Sequence, residues 1–184
     1  MALRDGRIVI KPYNEDQLGS NSYDLRIGEW VCRQHPGDPL DIFPRIKLTD
    51  PVNGLELWQL PEKVQDGIIW LAPGELILAH TEEFVGCFEN VVGEMASRST
   101  MMRMGVAICV DAGLGDVGFA SKWTMECYNH TRGSIGIPVG CRVAQMKFHE
   151  VSDVSKNYQD KGGTYGVPEG EWDPEDMIPR SSIG

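Results

Sequence analysis

Turn-forming residues interrupt the apolar segments of this chain about every 8–15 residues, and this spacing constrains the fold more than any other feature. The 184 residues include 21 glycines and 11 prolines, which is many for a helical bundle. Residues 121–130, SKWTMECYNH, place Trp123, Met125 and Cys127 at every second position, the pattern of a half-buried strand. We therefore predict an all-β (mainly β) domain of the sandwich or jelly-roll barrel type.

Three segments carry more specific predictions of secondary structure. Residues 98–104 are expected to form one short internal helix, stopped by Gly105 and held in place by its methionines. The strand that begins in SYDLRIG is expected to close near Gly28. Two apolar runs flank Pro73 and Gly74 within residues 67–87, and we predict that they pair as a hairpin.

The composition changes near Val154, where Gly, Pro, Asp and Glu replace the periodic apolar pattern. We predict one β domain over residues 1–153 and an extended C-terminal tail over residues 154–184 that covers the active site. An extended tail that does not pack on its own core often packs on a neighbouring subunit. The tail therefore also suggests an oligomer.

Charge and cysteine content exclude several classes of protein. The formal net charge of −10 argues against binding of nucleic-acid polymers or anionic membranes, which requires a basic surface. The N-terminal MALRDGRIVI is too short and too charged for a signal peptide, and no apolar run approaches membrane-spanning length. We expect a cytoplasmic protein whose five widely spaced cysteines are core thiols.

Two segments could carry chemistry. If residues 98–104 are helical, Arg98, Ser99, Thr100 and Arg103 present a guanidinium, hydroxyls and backbone N–H groups to an anion, and phosphate is the usual occupant. The alternative is an ordinary capped helix with surface ion pairs. Glu126 stands among large side chains, and such a carboxyl can be desolvated and suited to proton transfer. The alternative for Glu126 is a solvent-facing residue on a half-exposed strand.

A zinc site is not predicted. His80-Thr81-Glu82 has the H-x-E form of zinc deaminases, but those also need P-C-x-x-C. No two cysteines lie within four residues of each other, and the four histidines show no i, i+4 pairing.

Six segments together resemble the dCTP deaminase branch of the dUTPase-like superfamily. They are SYDLRIG (Ser22–Gly28), PGELILAHTEEF (Pro73–Phe84), SRSTMMRMG (Ser97–Gly105), DAGLGDVGF (Asp111–Phe119), TMECYN (Thr124–Asn129) and PVGCRVAQMKF (Pro138–Phe148). The resemblance implies a distorted jelly-roll, dUTPase-like β-barrel that forms a homotrimer with active sites shared between subunits.

The resemblance also implies roles for single residues. Glu126 would be the catalytic acid and base, aided by Ser99 and Arg103. The nucleotide would be contacted by Arg98, Ser99, Thr100, Arg103, Val110, Ala112, Asp116, Thr124, Met125, Glu126, Gln145 and Tyr158. Asp116 would lie by the deoxyribose, and Thr124, Met125 and Glu126 would line the pyrimidine. Mg²⁺ would bind through the nucleotide phosphates, and no zinc is implied.

The implied activity is deamination of dCTP to dUTP and ammonia. Three alternatives stay open: a bifunctional enzyme that gives dUMP, a dUTPase-type pyrophosphatase, and a non-catalytic nucleotide-sensing trimer. Asp111 stands where the family has a threonine, and the tail reads GGTYGVPEGEWDPED instead of G-G-K-Y-Q-G-Q. These departures leave the number of phosphates and the identity of the cytosine nucleotide open, including a modified cytosine.

Overall fold

The computed structural model describes residues 5–36 and 51–180. Its regular elements in that part of the chain are mainly strands. They are β1 (Ile8–Lys11), β2 (Tyr23–Arg33), β3 (Glu62–Lys63), β4 (Ile68–Leu71), β5 (Leu76–Cys87), β6 (Val91–Ser97), α1 (Ser99–Arg103), β7 (Val106–Ile108), β8 (Leu114–Gly115), β9 (Ala120–Asn129), β10 (Ile135–Pro138) and β11 (Arg142–Glu150). Short 3-10 helices span Glu15–Gln17, Gly54–Glu56 and Pro174–Met177.

Most of the strands join one curled antiparallel sheet. Its order is β7-β9-β5-β2-β11-β6-β8, with β1 paired to β5 and β3 paired to β2. β4 and β10 form a separate two-stranded sheet. The predicted mainly β fold with one short helix is confirmed.

The alternation predicted for β9 decides which side chains can form a site. Trp123, Met125 and Cys127 are buried in the core, because successive side chains of a strand point to opposite faces. Thr124 and Glu126 are only half-buried and lie on the opposite face. β9 therefore presents Thr124 and Glu126 away from the core.

A buried ion pair links β2 to β5 within the first two family-like segments. Glu83 is 0% exposed, and its carboxylate accepts hydrogen bonds from Arg26 Nε at 2.7 Å and Gln17 Nε2 at 2.8 Å. A buried charge needs such partners. The SYDLRIG and PGELILAHTEEF segments therefore include a contact that holds the barrel together.

Two local predictions are wrong. The apolar runs around Pro73 and Gly74 do not form a hairpin, because β4 pairs with β10 while β5 pairs with β1, β2 and β9. β2 does not close at Gly28 but continues to Arg33. Its pairing with β5 shifts register between Ile27 and Val31, as at a bulge.

The C-terminal segment lies against the barrel of its own chain. Tyr158 N–H donates to Val117 O at 2.7 Å, and Val167 N–H donates to Ala120 O at 2.9 Å. Further on, Met177 and Ile178 are buried in a second apolar cluster with Cys32, Trp58 and Leu78. The last residues of the predicted tail, 181–184, and residues 1–4 and 37–50 lie outside the described part of the chain.

The five cysteines are free thiols, and Cys32, Cys87, Cys109 and Cys127 are buried while Cys141 is partly so. None of the helices in the described part of the chain has the length and apolar character needed to cross a membrane.

Candidate active site

A cavity of about 330 Å³ lies between the polar face of β9 and the C-terminal segment. Its walls come from β5, the β8 region, β9 and the tail. The lining residues are Leu78, Ala112, Leu114, Gly115, Asp116, Phe119, Ser121, Lys122, Trp123, Thr124, Glu126, Tyr158, Tyr165, Asp176, Met177 and Pro179. The volume is in the range of small-molecule sites.

Glu126 is the chemically distinctive residue of this cavity. Its Oε2 atom is buried and has no hydrogen-bond partner in the described part of the chain. Burial raises the pKa of the Glu126 carboxyl, hydrogen bonds from the backbone N–H groups of Glu126 and Val110 oppose this, and the charge of Asp111 raises it further. A carboxyl beside a cavity that has a raised pKa and one unsatisfied oxygen is suited to accepting and returning a proton.

Aromatic rings form one wall of the cavity and join it to the tail. Phe119 packs edge-to-face on Trp123 and on Tyr158, with ring centroids 5.0 and 5.2 Å apart. The Tyr158 hydroxyl accepts a hydrogen bond from Tyr165 N–H at 2.8 Å. A Cβ atom on Gly163 would overlap the Tyr158 ring, so the glycine allows the tail to fold closely around it.

The donors of α1 lie outside this cavity. Ser99, Thr100 and Arg103 are exposed, and in the described part of the chain their side chains make no hydrogen bond or ion pair. Arg98 precedes the helix as its N-cap residue. Its guanidinium lies 3.4 Å from Asp24 and donates to Arg142 O at 3.2 Å.

The methionines of α1 differ from expectation. Met101 packs against the core, but Met102 and Met104 are 47% and 61% exposed. With Val110 at 57% and Leu114 at 70%, they leave large apolar side chains in solvent between α1 and β8. The prediction that these methionines hold the helix in place is correct only for Met101.

The structure gathers some of the predicted nucleotide contacts and separates the others. Five of them line the cavity: Ala112, Asp116, Thr124, Glu126 and Tyr158. The Val110 side chain is exposed, and the backbone of Val110 lowers the pKa of the Glu126 carboxyl. Met125 is 0% exposed in the core, so its side chain does not line the cavity. Gln145 lies on β11 opposite Asp24 and Ala96, and with the α1 residues it stays outside the cavity.

Several cavity residues were not anticipated. Lys122 shares the polar face of β9 with Thr124 and Glu126, so the period of two was a signal that could have identified it. Asp176, Met177 and Pro179 had no comparable signal, because the tail lacks periodicity. Of the described lining residues, Lys122 alone is cationic, against the carboxylates of Asp116, Glu126 and Asp176.

Within residues 5–36 and 51–180, no group of three or more His, Cys, Asp or Glu side chains is placed so that it could hold a metal ion.

Comparisons with known proteins identify the family of the chain. A family model described as dCTP deaminase-like matches residues 1–151. A protein of Leptospira biflexa named "dCTP deaminase, dUMP-forming" is 34% identical over 163 residues, covering 89% of this chain and 84% of the relative. A protein of Methanopyrus kandleri with the same name is 32% identical over 171 residues, covering 89% and 85%.

Solved structures share the fold at low sequence identity. The 2'-deoxycytidine 5'-triphosphate deaminase from Agrobacterium tumefaciens aligns with a TM-score of 0.58 at 14% identity, over 81% of this chain but only 45% of that one. The dUTPase from phage phi11 of S. aureus aligns with a TM-score of 0.50 at 14% identity, over 81% and 93%. A mutant of that phage enzyme, which coordinates a structural Mg(II) ion, also aligns with a TM-score of 0.50 at 14% identity, over 90% and 99%. Since the family model covers most of the sequence, the chain belongs to the dCTP deaminase-like family.

Proposed function

We propose that the protein deaminates dCTP, releasing ammonia, and that it also hydrolyses the triphosphate so that dUMP and pyrophosphate leave the site. The observation that carries the deaminase activity is the buried, unpartnered Oε2 atom of Glu126 in a cavity beside Asp116, Thr124 and Tyr158. The dUMP-forming version is supported by the names of the relatives from Leptospira biflexa and Methanopyrus kandleri.

In the proposed reaction, ionised Glu126 takes a proton from a water molecule that attacks C4 of cytosine. The proton passes to N3. Glu126 then takes the second proton from the new C4 hydroxyl and gives it to N4, so that the C4–N4 bond breaks and ammonia leaves as the C4 carbonyl of uracil forms. Burial supports this role because it raises the pKa of Glu126 and brings its proton affinity closer to that of the groups it serves. Ser99 and Arg103 are proposed to orient the water and stabilise the developing charge.

The phosphates need more positive charge than the described lining of this cavity supplies, since Lys122 is its single cationic residue. Arg98 and Arg103 lie beside the exposed hydroxyls of Ser99 and Thr100, and Gln145 lies on β11. We propose that these groups complete the Glu126 cavity of another copy, as in a homotrimer with shared active sites. The exposed apolar side chains of Met102, Met104, Val110 and Leu114 support burial of this region against a second copy.

Mg²⁺ is proposed to enter with the triphosphate as part of the substrate. The cavity fits such a complex because Asp116 lines it and its side chain makes no hydrogen bond or ion pair in the described part of the chain. Carboxylate oxygens suit this ion. The acidic tail is partly neutralised, since Asp176 pairs with Arg180 at 2.5 Å. Mg²⁺ would offset the remaining repulsion between Asp116 and the phosphates.

The proposal is tested by incubating the protein with dCTP and, separately, with dUTP in the presence of Mg²⁺. Ammonia, pyrophosphate and orthophosphate are measured independently. Equimolar ammonia and pyrophosphate from dCTP are expected. Ammonia without pyrophosphate would restrict the activity to dUTP formation. Pyrophosphate from dUTP without ammonia from dCTP would contradict the deaminase role and favour a dUTPase. Nucleotide binding without either product would indicate a sensing protein.

A further inference from the structure

Trp172 of the C-terminal segment lies on two side chains of the barrel. Its ring is tilted over the imidazole of His80 on β5, with centroids 4.4 Å apart. The ammonium of Lys122 on β9 lies 5.0 Å from the centroid of the same indole, within the range of a cation–π interaction. Trp172 therefore joins the tail to two neighbouring strands beside the Glu126 cavity.

His80 forms a rigid, neutral platform for this contact. Trp30 N–H donates to His80 Nε2 at 3.3 Å, so the ring proton lies on Nδ1, which donates to Thr81 O at 2.8 Å. Burial lowers the pKa of His80 to about 4. A Cβ atom at Gly28 would overlap the imidazole, so the glycine leaves the space that the ring occupies.

The residues that follow Trp172 form part of the cavity wall. Asp173 caps the 3-10 helix Pro174–Met177 in a capping box, and Met177 is buried in the second apolar cluster, against which Trp172 packs. Gly54 N–H donates to Pro179 O at 2.9 Å. These contacts fix the path of the chain on both sides of the wall residues Asp176, Met177 and Pro179.

We propose that Trp172 is a positioning residue that anchors this wall on the His80 platform before nucleotide binds. The wall is then already in place around the pyrimidine cavity in the nucleotide-free protein, and Lys122 is held at the edge of that cavity. This role rests on the proposed function, because it identifies the cavity as the site for the pyrimidine nucleotide. Trp172 itself lies outside the cavity lining, so its effect passes through the wall residues and Lys122.

The Trp172→Ala variant tests the anchor separately from the deamination step, because it leaves the reacting groups unchanged. Amide hydrogen exchange over residues 167–178 in the nucleotide-free protein is expected to accelerate by about 10-fold or more, while exchange in β9 and β11 stays unchanged. The KM for dCTP is expected to rise by about 10-fold and kcat to change by less than about threefold, because substrate binding weakens while the reacting groups remain in place.

Two further variants make the experiment specific. Trp172→Phe keeps an aromatic ring over His80 and is expected to restore most of the exchange protection and of the KM. Trp70→Ala is the matched control, since Trp70 is 52% exposed on β4 and does not line the cavity. It is expected to change neither measurement.

Equal and rapid exchange of residues 167–178 in the wild-type protein and Trp172→Ala would overturn the anchor. If Trp172→Ala loses exchange protection over residues 167–178 but keeps the wild-type KM for dCTP, the role of Trp172 in the cavity is overturned. If neither protein binds or turns over pyrimidine deoxynucleotides but Trp172→Ala still loses protection, the proposed function fails while the anchor is supported. The two hypotheses are therefore tested separately.

Discussion

At the scale of single residues, Glu126 combines a predictable position with an unpredictable environment. The period-two pattern of β9 places it on the polar face, opposite Met125, and this was visible in the sequence. The burial of Oε2 without a partner was not, because burial depends on how residues distant in sequence pack around β9.

Glu126→Gln tests the proton transfer directly. The amide keeps the shape of the side chain but cannot accept the proton of water, so the rate of ammonia release should fall by about 10²–10⁴-fold. Calorimetry should show that binding of dCTP is retained. Pyrophosphate release from dUTP serves as an internal control, because it needs no proton transfer at C4. A normal rate of ammonia release would rule out the mechanism.

Asp111 offers a way to change the pKa of Glu126 without touching it. Burial is the main cause of the raised pKa, and the negative charge of Asp111 adds to it. Asp111→Asn removes that charge, so the pKa of Glu126 should fall. Since ionised Glu126 is the proposed base, the acidic limb of the pH profile of kcat/KM should move to lower pH.

The matched control for Asp111 is Asp116→Asn, because Asp116 lines the cavity but is not among the groups that shift the pKa of Glu126. This variant is expected to leave the acidic limb in place even if it weakens binding. An unmoved limb in Asp111→Asn would show that Asp111 does not tune the base.

At the scale of elements, β2 fits closely against β5 because Gly28 has no side chain. Gly28→Ala would place a methyl group on the ring of His80, and overpacking of this kind costs about 1–3 kcal/mol of unfolding free energy. Urea unfolding measures the loss. Gly133→Ala is the control, because a Cβ there meets nothing within 4 Å, and its unfolding midpoint should barely move. Equal stability of the two variants would contradict the close fit.

The elements also show how far a sequence determines strand pairing. The alternation of β9 and the stop of α1 before Gly105 follow from local periodicity and were predicted. The partner of β4 was not, since Pro73 and Gly74 indicate a turn but do not select a neighbour. β4 pairs with β10, a choice made by the packing of the whole barrel. The continuation of β2 beyond Gly28 likewise depends on His80, which lies on another strand.

At the scale of the whole molecule, the predicted nucleotide contacts divide into two regions. The order of the motifs along the chain predicts the residues of both regions. Only the three-dimensional packing shows that the Glu126 cavity and the exposed donors of α1 are separate. The tail wall was missed because its contacts, such as Trp172 on His80, join residues remote in sequence and leave no periodic signal.

Mixing two inactive variants tests the proposed sharing of sites between subunits. Arg103→Ala and Glu126→Gln should each abolish deamination alone. If each site takes Arg103 from one subunit and Glu126 from its neighbour, random co-assembly at equal amounts should complete about a quarter of the sites. Ammonia release after co-expression or joint refolding measures this. No recovery in confirmed mixed oligomers would show that both residues act within one subunit.

The position of β11 between β2 and β6 has a consequence for the order of events during protein synthesis. β2 and β6 are synthesised before β11. Each of them therefore keeps one hydrogen-bonding edge unpaired until residues 142–150 have been synthesised. Open strand edges invite pairing with other chains, and such distant pairings form slowly. The nascent chain is therefore most exposed to misassembly just before its last strand emerges, and the wall of the cavity is added only after that strand has closed the sheet.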